Sequence, residues 1–121
     1  MGGIASANEL GASIFSQAAL SNTGKTVKAS SATIYGVKID CSANTGEKVY
    51  VKFYNSASPT VGTTAARMVL SCPAGSTRNY MFPRSLGSFD TAVVVAAVRE
   101  AGGGAGATAP SGTVAVKVLY T

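Results

Sequence analysis

Residues 33–55, "TIYGVKIDCSANTGEKVYVKFYN", decide the fold class. The first half alternates, with Tyr35, Val37, Ile39 and Cys41 on one face and Ile34, Gly36, Lys38 and Asp40 on the other. The second half repeats the device: Val49, Val51 and Phe53 share a side, and Tyr50, Lys52 and Tyr54 take the opposite one. Period-two spacing is that of half-buried strands. Between the two runs lies "SANTG", whose glycine tolerates the backbone of a tight turn, so the spacing predicts an antiparallel hairpin.

The same vocabulary continues outward. "ASPTVGTT" (57–64) reads as a long loop, "AARMVLSC" (65–72) as a strand, "PAGST" (73–77) as a turn and "RNYMFP" (78–83) as a short strand ended by proline. "FDTAVVVAAVRE" (89–100) has the continuous apolar centre of a strand buried on both faces, and its valines favour strand over helix. "AGGGAGATAPSG" (101–112) reads as a flexible excursion. In "TVAVKVLYT" (113–121), Val114, Val116, Val118 and Tyr120 fall in phase, and Ala115 and Leu119 make the reverse face apolar too. That reverse face is expected to be covered as well.

Upstream of residue 23 the signal is thinner. Gly, Ala, Ser and Asn dominate, and the apolar anchors Ile4, Leu10, Ile14, Phe15 and Leu20 are sparse. The expectation is an arm over residues 1–22, with a weak strand near 13–20, followed by one sandwich domain over 23–121. Seven or eight strands with turns between them and no convincing helix belong to an all-β antiparallel sandwich of jelly-roll type.

The totals agree with one domain. A chain of 121 residues is within the single-domain range and buries roughly two thirds of its unfolded surface. Hydrophobic residues make up 46% and charged residues 12%, about half the usual charged share. The net charge is +5, but the ten Lys and Arg are scattered, and no polybasic run suggests a nucleic-acid partner. The N-terminal residues lack the basic and uninterrupted apolar regions of a secretory signal, and no apolar run has the length of a bilayer span.

One stretch imitates machinery. Gly24-Lys25-Thr26 matches the close of a phosphate-binding loop, yet the first glycine of that motif falls on Ala19, and β-prone sequence follows where a helix is required. Asn-Thr-Gly recurs at 44–46 without the Lys-Thr, so a shared turn explains both copies. The chain has no His, and Glu9, Asp40, Glu47, Asp90 and Glu100 lie in separate segments, which gives general acid–base chemistry nothing to work with. No catalytic residue, metal site, cofactor or small-molecule substrate is expected. Cys41 and Cys72 sit in apolar runs, each expected as a small buried hydrophobe, and they pair only if the fold brings them together. For Tyr50, Lys52 and Tyr54 two readings stand: a face covered within the fold, or a protein–protein interface, where tyrosine is enriched.

The ordered elements at Val27–Ser30, Tyr35-Gly36, Val49–Tyr54, Pro59–Thr63, Pro73–Phe82 and Val114–Thr121 resemble the pattern of small structural proteins of tailed bacteriophages. The likeness covers residues 23–121. It implies a virion component, made in the host cytoplasm and carried on the capsid surface as a cement or decoration protein. It further implies the major capsid protein as partner and a homo-oligomer, with a trimer favoured. The candidate interface is then Ile4, Leu10, Ile14 and Phe15 of the arm together with Tyr50, Lys52 and Tyr54. The alternative is a recognition or carbohydrate-binding module of a phage tail or fibre, although the chain has no tryptophan to stack on a sugar.

Overall fold

The computed structural model describes residues 12–104 and 106–121. In chain order the elements are β1 (Ser13–Gln17), β2 (Lys25–Lys28), β3 (Ala32–Asp40), β4 (Val49–Tyr54), β5 (Met68–Cys72), β6 (Thr77–Met81), the single-turn α1 (Arg84–Gly87), β7 (Ser88–Phe89), β8 (Val93–Val98) and β9 (Ala115–Tyr120). One sheet runs β1-β9-β3-β6, with the two-residue β7 added at the start of β3; the other runs β2-β8-β4-β5. All pairings are antiparallel. Apart from β7, the chain switches sheet at every step except β4 to β5, and two four-stranded sheets filled in this order make a jelly roll. The expected all-β sandwich is therefore the observed one.

The hairpin predicted at 33–55 is not formed. β3 pairs with β9, β6 and β7, whereas β4 pairs with β8 and β5 in the opposite sheet. The two strands meet face to face, with Val37, Ile39 and Cys41 of one and Val49, Val51 and Phe53 of the other in a common core. Alternation specifies which face is buried and leaves open whether the partner is beside or opposite. The 41–48 connection is a corner pinned by the buried Asn44, whose Nδ2 donates to Thr113 O (3.1 Å) and whose Oδ1 accepts from Gly112 N (2.7 Å).

A second departure lies within β3. The pairing with β9 slips between Ile34 and Gly36, leaving Tyr35 as an extra residue. Such a bulge resets the alternation, so Ile34 is buried with Val37 and Ile39 instead of facing away from them.

The domain boundary also moves. β1 is hydrogen-bonded along its length to β9, Leu20 lies in the core, and Leu20 N donates to Val114 O (2.7 Å). Residues 12–22 are thus part of the sandwich, and an arm reaching to residue 22 is too long. Ile4 and Leu10 lie outside the described residues.

β8 is buried at all six positions, as its apolar run predicts. Its inner residues face sheet one; its outer residues Val94 and Ala96 are covered, with Tyr54, by Val61 and Ala66 of the 55–67 loop. The glycine-rich 99–112 segment joins this cover: Ala66 N donates to Gly103 O (2.8 Å) and Arg99 N to Thr108 O (3.1 Å). The second sheet is therefore roofed by loops.

Candidate interaction surface

Among the described residues, nothing roofs the outer face of the other sheet. Along β1, β9, β3 and β6 the register aligns Ile14 with Leu119, Leu119 with Gly36, and Gly36 with Met81. This row crosses the whole sheet. Ile14 is 60% exposed and Met81 76%, and a shallow hollow of about 250 Å³ lies among them. Gly36 supports the arrangement, because a β-carbon there would stand 3.1 Å from Met81 Sδ; its absence gives the methionine room beside β3. The next row is polar: Ser16, Lys117, Lys38 and Asn79. Lys38 and Lys117 are direct cross-strand neighbours of the same charge, a pairing that costs stability and that the Asp40 carboxylate near Lys38 offsets in part.

The reverse face of β9, expected to be covered, belongs to this bare surface: Lys117 is exposed, and Ala115 and Leu119 are half-buried. Of the other interface candidates, Phe15 packs inward against the core. Tyr50 is half-buried, whereas Tyr54 and Lys52 are each only 1% exposed. These two lie beneath the loop roof, so the covered-face reading holds for them and the interface reading does not. Burial depresses the Lys52 ammonium pKa, and the nearby Glu100 charge partly offsets that. Burial raises the Tyr54 phenol.

Four carboxylates act as fasteners of loops. Glu47 accepts from Ser111 N (2.7 Å) and Ser111 Oγ (2.6 Å), and its other oxygen pairs with Arg99 Nε at 2.6 Å. Glu100 accepts from Thr108 N (3.0 Å), Asp40 from Ser42 N (3.0 Å), and Asp90 from Asn55 Nδ2 (2.7 Å). Each is held below its usual pKa chiefly by these side-chain and backbone donors: Ser111 for Glu47, Thr108 for Glu100, Ser42 for Asp40, Asn55 for Asp90. Among the described residues no three His, Cys, Asp or Glu side chains stand together as a metal site. Among the same described residues no helix is long and apolar enough to cross a membrane.

The Gly24-Lys25-Thr26 triplet lies at the start of edge strand β2, and Thr23 N bonds Ser21 Oγ in the preceding turn. Gly24 sits against β8, where a β-carbon would come 2.8 Å from Val94 Cγ1. An open cleft of about 730 Å³ at one end of the sandwich is lined by Lys28, Asn55, Arg67, Phe89 and Asp90 among others. Its polar groups largely satisfy one another: Arg67 Nε donates to Ser88 O and its guanidinium lies over the Phe89 ring, while Asn55 serves Asp90 and Thr91 N. Phe89 is 2% exposed, so the cleft floor presents no open ring.

No family model and no curated protein matches the chain. Among the solved structures that the chain matches are two weak ones. One is a protein of Bacillus endospore appendages, described as a novel family of disulfide-linked pili: 19% identity, 91% of this chain and 84% of that one covered, TM-score 0.39. The other is from infectious bursal disease virus, Gx strain: 9% identity, 90% of this chain and 32% of that one, TM-score 0.35. Likeness at this level carries no functional argument.

Proposed function

We propose that the protein is a structural component of a tailed-phage virion that attaches to the capsid surface and stabilises the lattice. The observation that carries this reading is the asymmetry of the sandwich. One sheet is roofed by the chain's own loops, and the other presents an apolar row beside the like-charged pair Lys38 and Lys117, of which Lys38 has Asp40 nearby. A surface of that kind suits a partner with an apolar strip and acidic groups, and the resemblance over residues 23–121 supplies the major capsid protein as that partner. The homotrimer rests on the resemblance alone. Residues 1–11, with Ile4 and Leu10, extend the candidate contact. A recognition module of a tail or fibre has the polar cleft in its favour, and the buried Phe89 ring against it.

The test is co-sedimentation with capsids of the encoding phage that lack this protein. The double variant Ile14→Lys/Met81→Lys should melt like the parent, since exposed positions rarely shift stability by more than about 0.5 kcal/mol. Its capsid occupancy should fall at least tenfold. Occupancy equal to the parent's would remove this face from the proposal, and the cement role with it.

A further inference from the structure

Cys41 follows β3 in one sheet and Cys72 ends β5 in the other, and both are fully buried free thiols. The corner brings them to the same few atoms. Cys41 N donates to Ser76 O (3.0 Å), and Cys72 Sγ lies 3.5 Å from that same oxygen. Cys41 Sγ donates to Pro73 O (3.1 Å), the residue after Cys72, and Cys72 Sγ lies 3.9 Å from Ile39 O, two residues before Cys41. Each side chain thus reaches the backbone that flanks the other cysteine, and both residues converge on the carbonyl of Ser76.

We propose that Cys41 and Cys72 form a redox-closed clasp, an intramolecular disulfide that ties the two sheets together in an oxidising medium and stands open in a reducing one. The co-reactant is a low-molecular-weight disulfide. One cysteine thiolate attacks it, forming a mixed disulfide and expelling a small thiolate. The second cysteine thiolate then displaces the other half, so that two protein thiols lose two electrons and two protons and the small disulfide becomes two thiols. Burial, and then the Cys41 thiol beside it, push the Cys72 thiol up to about 11, which leaves little thiolate near neutrality. Closure therefore passes through opening of the 73–76 turn, held by Ser76 N and Oγ on Pro73 O. Once made, the bond links residues far apart in sequence and restricts the unfolded chain.

The full chain is refolded from denaturant in buffers of reduced and oxidised glutathione, which gives access to both thiols whatever the native turn allows. After acid quenching, the expected product is a monomer lighter by two hydrogens with a Cys41–Cys72 cross-linked peptide. By linkage, the factor by which native packing favours the bond equals the factor by which the bond favours the native state, roughly 500-fold for a loop of this size. The oxidised chain should melt about 15 °C higher than the reduced one, a difference abolished by dithiothreitol and absent in Cys41→Ser and Cys72→Ala. Free thiols in the refolded product, glutathione held on each cysteine separately, disulfide-linked dimers, or an oxidised monomer that melts lower would each overturn the proposal.

Discussion

Gly87 ends α1 with its backbone against the carbonyl of Ile34, and a β-carbon there would sit inside that oxygen's van der Waals shell. Neither partner is a side chain that can turn aside. Gly36 faces the opposite case, since its neighbour is the flexible end of Met81. Gly87→Ala should therefore cost about 3 kcal/mol and Gly36→Ala less than about 1 kcal/mol, read from urea midpoints at unchanged m-value. Nothing in the sequence separates these two glycines. The same holds for Tyr35 and Lys52: a bulge is invisible to period-two counting, and a lysine within an alternating strand reads as solvent-facing until a loop is laid over it. What residue-level reading captured was the inner face, because Val37, Ile39, Val49, Val51 and Phe53 have no other way to escape water.

At the scale of elements, β9 is one of the two inner strands of its sheet, between β1 and β3, with Val116, Val118 and the preceding Val114 buried. Burying each is worth roughly 1.5–3 kcal/mol, which together approaches the margin of a small domain. Truncation after Gly112 should give insoluble or unfolded chains; a soluble product with a cooperative melt would show the sandwich closing without it. The number and places of the long strands were legible, because apolar alternation and turn residues are local signals. Pairing was not. Choosing between a hairpin and a corner at residues 41–48 depends on Asn44 finding Gly112 and Thr113, partners far along the chain.

For the whole molecule, acid stability follows from the carboxylates that fasten the loops. Their folded pKa values are depressed, so their contribution is complete above the ordinary carboxylate range and fades as pH falls through the folded values. Hydrogen-exchange protection in the 99–112 segment, taken relative to the intrinsic rate at each pH, should therefore fall below about pH 4 while β8 and β9 remain protected. Glu47→Ala should bring part of that loosening to neutral pH; equal exchange in both proteins at neutral pH would remove Glu47 as a fastener. The bare sheet face was only half legible. Ile14 was visible as an apolar anchor, but Leu119 and Met81 join it through pairings between distant strands.

Those distant pairings also govern how the chain reaches its fold. Of the ladder partners, only β4 and β5 are consecutive in the chain, and β1 waits for β9, about a hundred residues later. Such a topology has high contact order, and loop-closure entropy must be met before most native contacts give anything back. Refolding should fall in the millisecond-to-second range of sandwich proteins, with the β4–β5 ribbon as the one locally available nucleus. Until β9 arrives, β1 and β3 each lack a neighbour in their sheet, and a crowd of nascent copies offers many substitutes. The time spent with open ladders, more than the final stability, then sets how much of the protein is recovered as soluble monomer.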